Sequence, residues 1–239
     1  MDHFVAFAIL GIGAGVLTTV AGLGGGILMM LAVSLATDPK VALAATAPAL
    51  LVGNLHRAYL FRGDIDRRVA RAFAIGAFPG SVLGGALLSR LPSRLVAIVM
   101  MVMTAVALLR VCKVVTLTPR ARGITPVGIG IGALAAASGG AGMLAGPFFL
   151  ALGLGGAGYV ATAAVASVAM HLGRVISYGF SGLLDGHTLR LSLLLLASVL
   201  VGNSAGKWAR RFIDQRLGTH IEMTALVVAS ALAVFGLAR

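Results

Sequence analysis

Charged residues are scarce in this chain, and acidic residues are the scarcest of them. Only 11% of its 239 residues are charged, and 7 of these are Asp or Glu. Hydrophobic residues make up 59% of the chain, and the mean hydropathy of +1.02 lies far above the range of soluble proteins. This composition excludes a soluble globular domain and predicts an all-α polytopic membrane protein in a lipid bilayer.

Cysteine is almost absent, which limits the chemistry. Cys112 is the only cysteine, so an intrachain disulfide and Cys-x-x-Cys metal or redox motifs are excluded. The metalloprotease motif His-Glu-x-x-His is absent, and the acidic residues lie near loops or the ends of apolar runs. No pair of intramembrane carboxylates is available as acid and base. We therefore expect a protein that is not an enzyme and that needs no metal or cofactor.

Positive charge dominates, with a formal net charge of +12. In a soluble protein such a charge would suggest nucleic acid binding. Here Lys and Arg fall in a few short loops between apolar runs, the pattern that orients membrane proteins. We therefore expect no nucleic acid partner.

Ten apolar runs follow one another along the chain. A helix needs about 20 apolar residues to cross a hydrocarbon core of about 30 Å, and the second, sixth and seventh runs are too short to cross comfortably. The first run begins after residue 3 without the basic segment of a secretory signal, so we expect it to be retained. The runs cover residues 4–21, 24–37, 41–61, 69–88, 95–111, 125–138, 142–154, 158–181, 189–206 and 221–238.

The second five runs resemble the first five. Gly-Ile-Gly-Ala-Gly at 11–15 aligns with Gly-Ile-Gly-Ile-Gly at 128–132, residues 59–66 align with 178–185, and residues 80–84 align with 202–206. The residue numbers of the aligned segments differ by 117, 119 and 122. Small insertions in the loops of the second copy would explain this increase. We predict an N-terminal transmembrane repeat over 1–115, a basic cytoplasmic linker over 116–124 and a C-terminal transmembrane repeat over 125–239.

Basic residues favour inverted copies. If the first two runs of each copy form a hairpin that enters and leaves on one face, twelve Lys and Arg lie on one face of the membrane and five on the other. If each glycine break is a kink in one spanning helix, the copies are parallel and the division is ten to seven. The positive-inside rule favours two inverted-topology repeats, each a glycine-broken helical hairpin plus three transmembrane helices, with both termini outside the cytoplasm.

Clustered glycines interrupt the apolar runs at equivalent places in the two copies. Irregular backbone at membrane depth persists only where protein or a water-filled cavity surrounds it, and helices that resume there direct unpaired N–H groups into that cavity. We predict two hairpin tips that bind a small oxyanion, although helix packing is the alternative role and is preferred for glycines spaced at four residues. The tip residues are Thr18, Gly22, Gly24, Gly25, Gly26, Ser138, Gly139, Gly140 and Gly142.

Each copy also places a histidine and an arginine in the second half of its third helix. Ionisable residues within a span are functional candidates, and a guanidinium suits a sulfonate or a carboxylate. Arg57, Arg174 and His171 are therefore candidate anion ligands. Arg57 lies near a helix end, so snorkelling to the cytoplasmic interface is an equal alternative. His56 and His171 are candidates for proton coupling, and a role as hydrogen-bonding struts is the alternative.

Several motifs together resemble a known family. The glycine-rich first hairpin, Ala45-Thr46, the close of the third helix from Tyr59 to Asp66 and the repetition of this pattern after residue 125 resemble the sulfite exporter TauE/SafE family, also called the toluene-sulfonate uptake permease family. The resemblance implies a multi-pass transporter of the bacterial inner membrane, usually an exporter. Its implied substrate is a small sulfur-containing anion such as sulfite, sulfoacetate or another organosulfonate.

The resemblance also bears on single residues. Thr46 matches a small-hydroxyl pair of the family at the start of the third helix and is a further candidate ligand, but Ala47 stands where the family often has serine. Arg57 and Arg174 lie outside the family pattern, so we interpret them as residues that tune this member to a particular anion.

The preferred hypothesis is a secondary carrier that moves its anion by alternating access of the two repeats. An anion channel of the same fold is the alternative, and an intramembrane enzyme is less favoured. A homodimer is compatible with the sequence, which does not specify the oligomeric state.

Overall fold

The computed structural model describes residues 2–22, 24–111, 123–139 and 142–213, together with positions 224, 227, 228 and 231. These residues form α-helices and one 3₁₀ turn, and they contain no strand. Gly140, most of the predicted linker and, apart from the four single positions, the predicted tenth span lie outside the described residues.

The described helices begin and end within three residues of the predicted apolar runs. Both predicted helix breaks are present. The first helix ends at Ala21 and the second begins at Gly25, and the sixth helix ends at Ser138 and the seventh begins at Gly142. The helices are α1 (Asp2–Ala21), α2 (Gly25–Ala36), α3 (Pro39–Leu60), α4 (Arg67–Arg90), α5 (Ser93–Val111), α6 (Ile124–Ser138), α7 (Gly142–Ala151), α8 (Gly156–Phe180) and α9 (Gly186–Ala209), with the 3₁₀ turn at Arg62–Asp64.

Four of the described helices are long and apolar enough to cross a membrane by length and composition: α1, α4, α8 and α9. The helices α2 and α6 are apolar but shorter, as predicted for the two arms of broken hairpins. The protein is therefore an all-helical, multi-pass membrane protein over its described part.

Aspartates fix the starts of two equivalent helices. The Asp66 carboxylate accepts the N–H of Val69 at 3.0 Å before α4, and the Asp185 carboxylate accepts the N–H of Thr188 at 2.8 Å before α9. An N-cap of this kind satisfies a backbone donor that has no partner inside its own helix. The hydrogen bonds from the backbone and side chain of Thr188 hold the pKa of the exposed Asp185 carboxyl below its usual value.

Helix packing follows one pattern twice. The helix α1 packs against α9 as α6 packs against α4, and α3 contacts α9 as α8 contacts α4, while α3 and α8 contact each other. Glycines allow the closest contacts. A methyl group on Gly132 would overlap the Ala77 carbonyl oxygen, and one on Gly202 would overlap the Ile12 carbonyl oxygen. The backbones of these helices therefore touch directly, as small residues permit in membranes.

Aromatic side chains fill the space beside the second hairpin. Phe73 of α4 meets Phe149 of α7 edge to face with ring centroids 5.0 Å apart, and Phe148 lies 6.0 Å from Phe149. All three rings are buried. This cluster holds the short helix α7 against α4.

We predict that Gly132→Ala destabilises the protein and that Gly130→Ala does not. The added methyl group at residue 132 meets backbone atoms of Ala77, whereas nothing lies within 4 Å of the corresponding position at residue 130. Overpacking costs about 1–3 kcal/mol, while Ala favours a helix over Gly by about 1 kcal/mol. Thermal unfolding of both purified variants in detergent measures the difference, and equal melting temperatures would contradict the packing.

Candidate anion-binding site

The two predicted tips end their first helices in the same way. Gly22 and Gly139 adopt positive φ values of 93° and 66°, which glycine tolerates without strain. The N–H of Gly22 donates to the Thr18 carbonyl oxygen at 2.9 Å, and the N–H of Gly139 donates to the Ala135 carbonyl oxygen at 2.7 Å. Gly24, with φ 101°, completes the first turn. These conformations explain why each tip requires glycine.

Arg57 on α3 turns inward beside the first tip. Its side chain exposes only 1% of its surface. Nη1 donates to the Thr18 carbonyl oxygen at 2.8 Å, and Nη2 donates to Asn54 Oδ1 at 2.6 Å. Arg57 therefore joins α3 to the end of α1, where the chain turns at Gly22. Its guanidinium does not snorkel to the interface, so that interpretation of Arg57 is wrong.

Arg174 on α8 occupies the corresponding place in the second copy and is also 1% exposed. Nη2 donates to the Leu43 carbonyl oxygen at 2.9 Å, and Nη1 lies 3.1 Å from His171 Nδ1. The guanidinium lies 5.6 Å from the ring centroid of Tyr178, whose hydroxyl donates to the Ala136 carbonyl oxygen at 2.6 Å. Arg174 thus joins α8 to α3 and lies, with Tyr178, beside the end of α6.

Neither arginine has a carboxylate partner among the described residues. The Nε atoms of Arg57 and Arg174 are both buried and make no hydrogen bond. Guanidinium groups stay charged in proteins, and an uncompensated charge in the interior is strongly destabilising. The two copies therefore share one unusual feature, a buried cation with an unused donor, and an anion would satisfy both requirements.

His171 lies beside Arg174 on its own helix, and Arg57 on α3 is a further positive charge in its surroundings. His171 keeps part of its surface accessible, although both arginines are fully buried. The Arg174 guanidinium and the His171 imidazole thus lie together where α8 meets α3 at Leu43, and Arg57 adds a second guanidinium farther along α3. Guanidinium donors suit a small oxyanion.

A family model described as sulfite exporter TauE/SafE matches residues 7–235, nearly the whole chain. The chain belongs to the sulfite exporter TauE/SafE family. Neither a curated protein nor a solved structure matches it. The family resemblance predicted from the sequence is confirmed, and this TauE/SafE protein belongs to a family of membrane transporters.

Packing explains part of the first tip of this TauE/SafE protein. A methyl group on Gly25 would overlap the Ala14 carbonyl oxygen and the Thr18 hydroxyl, so Gly25 lets α2 lie against α1. A methyl group on Gly26 would lie 3.3 Å from Leu50 Cδ1, the end of a flexible side chain. The N–H groups of Ile27 and Leu28 both donate to the Gly24 carbonyl oxygen at 3.1 Å. Gly26 is thus freer than Gly25 to serve a ligand.

The three hydroxyl candidates donate to their own helices. The Thr18 hydroxyl donates to the Ala14 carbonyl oxygen at 2.6 Å, that of Thr46 to Ala42 at 2.8 Å and that of Ser138 to Leu134 at 2.7 Å. Such bonds are common for Ser and Thr in helices. A role for these hydroxyls at an anion site stays a prediction, and it requires a change of rotamer.

His56 has different surroundings from His171. It follows on α3 one residue before Arg57, so the two side chains leave the helix about 100° apart. His56 is partly buried, its Nδ1 makes no hydrogen bond, and Lys207 of α9 is its charged neighbour. Its predicted role in proton coupling is untested, and the geometry does not bring it to His171.

Asn54 is a site residue that sequence reasoning missed. It is 6% exposed and holds Arg57 from one helical turn away. Its spacing could have revealed Asn54 as a site residue. Asn54 precedes Arg57 by three residues, as His171 precedes Arg174, and residues three apart share a helix face.

A serine motif in α9 has a structural role. Residues 202–206 (Gly-Asn-Ser-Ala-Gly) have the Gly-x-Ser-x-Gly spacing, which acts as a nucleophile only on a sharp strand-to-helix turn. Here all five lie inside α9, and the exposed Ser204 donates to the Leu200 carbonyl oxygen at 3.1 Å. Asn203 Nδ2 instead donates to the Gly53 carbonyl oxygen at 2.7 Å, which ties α9 to α3.

The first tip gives a paired prediction. We expect Gly25→Ala to lower the melting temperature of the purified protein, because its methyl group meets the backbone of α1. Gly26→Ala should unfold at nearly the wild-type temperature, since the Leu50 side chain can move. Circular dichroism melts in detergent check both variants. A Gly26→Ala variant that unfolds as early as Gly25→Ala would show that the whole tip is rigidly packed.

Proposed function

We propose that this protein is a secondary transporter, acting as an exporter, of a small sulfur-containing anion such as sulfite, sulfoacetate or another organosulfonate. One observation carries the proposal: two equivalent arginines, Arg57 and Arg174, are buried without a carboxylate among the described residues, and each leaves its Nε unused. Family membership supports a sulfur-containing substrate, and the two arginines support an anion-binding site.

The charge of the site favours an anion over any neutral or cationic solute. A bound oxyanion would offset the positive charge, which no described carboxylate neutralises, and would give a buried Nε–H group an acceptor. Sulfite and sulfonate groups each present three oxygens, enough to meet donors from two sides. Both arginines belong to one chain, so the proposed site does not depend on the homodimer that the sequence allows.

The hairpin tips form the second part of the proposed site. Arg57 binds the Thr18 carbonyl oxygen just before Gly22, and Tyr178, stacked near Arg174, binds the end of α6 just before Gly139. Helix α2 and its counterpart α7 begin directly after these tips. Their first N–H groups lack acceptors within their helices, so we propose that they assist the arginines, with Gly24, Gly26 and Gly142 as the backbone donors.

Contacts at the helix ends support an inverted arrangement of the copies. Phe61 at the end of α3 packs with Val160 near the start of α8, whereas Leu43 near the start of α3 binds Arg174 in the second half of α8. The equivalent helices α3 and α8 thus run in opposite directions, as inverted repeats require. This arrangement supports alternating access around Arg57 and Arg174 as the proposed mechanism.

The basic end of the bundle supports the orientation. Lys207 and Arg210 lie 6.0 Å and 5.6 Å from the Phe61 ring, beside Arg62. The opposite end carries fewer basic residues, among them Lys40, which donates to the Ser89 carbonyl oxygen at 3.2 Å, and the neighbouring Arg90. By the positive-inside rule this difference favours a cytoplasmic Phe61 end. We therefore propose a bacterial inner-membrane protein with both termini in the periplasm.

Anion binding is testable by thermal unfolding in detergent. Sulfite or methanesulfonate should raise the melting temperature of the wild type, by the equivalent of about 2.7 kcal/mol at 100 times the dissociation constant. Arg57→Met and Arg174→Met should lose the anion effect. Without anion, their melting temperatures reflect the removal of a buried charge against the loss of hydrogen bonds to Thr18, Asn54 and Leu43. Arg68→Met, at an exposed position, is the control. Arginine variants that still respond to the anion would refute this site.

Counterflow in proteoliposomes distinguishes a carrier from a channel. Unlabelled methanesulfonate loaded inside should accelerate uptake of the labelled anion, because a carrier returns faster when loaded. A channel would conduct without this stimulation. We expect exchange stimulation in the wild type and none in Arg174→Met. Uptake that is rapid but unaffected by the internal anion would establish the channel alternative.

A further inference from the structure

The two buried arginines are held by different partners at the same position. Asn54 Oδ1 accepts a hydrogen bond from Arg57 at 2.6 Å, and His171 Nδ1 pairs with Arg174 at 3.1 Å. Each partner precedes its arginine by three residues, and the two arginines share the offset of 117 that also separates the starts of α3 and α8. Asn54 and His171 are therefore equivalent residues of the two copies.

Their chemistry differs in one respect. The amide oxygen of Asn54 accepts a hydrogen bond at any physiological pH. His171 Nδ1 accepts one from Arg174 only while it carries no proton, which fixes the tautomer with hydrogen on Nε2. The unperturbed pKa of imidazole, near 6.5, lies within the physiological range. The bond to Arg57 is thus permanent, whereas the bond to Arg174 can be broken by a proton.

The surroundings of His171 contain positive charge and no described negative charge. Among the described residues, Arg174 on α8 and Arg57 on α3 are the charged groups that act on it. The titratable Tyr178 lies beside Arg174 on α8, and its hydroxyl donates to the Ala136 carbonyl oxygen. The described parts of α6 and α7 carry no titratable residue, and the titratable residues of α4 lie at its ends. The aspartate of the 3₁₀ turn is exposed at the Phe61 end. A proton on His171 therefore needs an added anion to balance three clustered cations.

We infer that His171 is a proton-binding residue of the anion site, so that one proton and one anion bind together. The inference rests on the proposed anion site. A proton from water adds to Nδ1, the hydrogen bond between Arg174 Nη1 and Nδ1 breaks, and both groups become donors. An anion oxygen accepts from Arg174 Nη1–H and from the new Nδ1–H. Arg57, which Asn54 holds in place, contributes to anion binding without any residue taking up a proton.

Thermodynamic linkage determines how the anion affinity changes with pH. Because the proton and the anion favour each other, anion affinity rises as the pH falls from 8 to 5, by up to about tenfold per pH unit for one linked proton. Binding of the anion likewise takes up protons from unbuffered solution. A carrier of this kind would move an anion together with a proton bound at His171. Asn54 and Arg57 would contribute to anion affinity without making it depend on pH.

The test measures methanesulfonate affinity of the full-length protein in detergent at several pH values between 5 and 8. This sulfonate stays fully ionised in that range, so any pH dependence belongs to the protein. Wild type should bind more tightly at low pH. His171→Asn, which copies the first half-site, should bind at every pH with the weaker affinity of wild type at pH 8. Asn54→His, the reverse exchange, should make the dependence steeper.

Two controls keep the outcomes separate. His187→Asn, at an exposed position in the first turn of α9, should keep the wild-type pH dependence. His171→Gln replaces His171→Asn if the latter does not fold. Wild type that binds no methanesulfonate at any pH refutes the anion site itself. Binding that is independent of pH, or a dependence that survives in His171→Asn or disappears in His56→Asn, refutes the role of His171 and leaves the anion site standing.

Discussion

Buried positive charge without a negative partner is the constraint on which this structure depends. Two guanidinium groups lie at the interior ends of broken hairpins, and each uses its Nη atoms on a carbonyl oxygen and on one side chain. These bonds hold the groups in place without neutralising them. The long helices, the tight glycine contacts and the capped helix starts keep the arginines fixed in an apolar surrounding, where a solute of opposite charge gains most.

Much of the fold was readable from the sequence, because apolar runs and clustered glycines are strong local signals. The breaks at Gly22 and Gly139 follow from backbone conformations that other residues rarely adopt. The direction of the Arg57 side chain was not readable. A position one turn from a helix end is compatible with snorkelling or with burial, and only the hydrogen bond from Arg57 to the Thr18 carbonyl oxygen of α1 decides between them.

The pairing of the copies shows a second limit. Sequence similarity aligns Tyr59 with Tyr178, but Tyr59 is 63% exposed and Tyr178 is fully buried. An alignment of the two copies that pairs Arg57 with Arg174 instead pairs Phe61 with Tyr178. Similarity also draws attention to His56 and His171, although the residue equivalent to His171 is Asn54. An amide and an imidazole are unlike in sequence, and their equivalence depends on a shared role as acceptors, which only hydrogen bonds reveal.

The close glycine contacts have a mechanical meaning. Helix α1 belongs to the first copy and α9 to the second, and α4 and α6 are likewise from different copies, yet in each pair the backbones touch. Helices in such contact cannot slide or rotate against each other without separating. In the proposed alternating-access cycle, the moving bodies would therefore contain helices from both copies, and bending would occur inside each copy, where its hairpin meets its third helix.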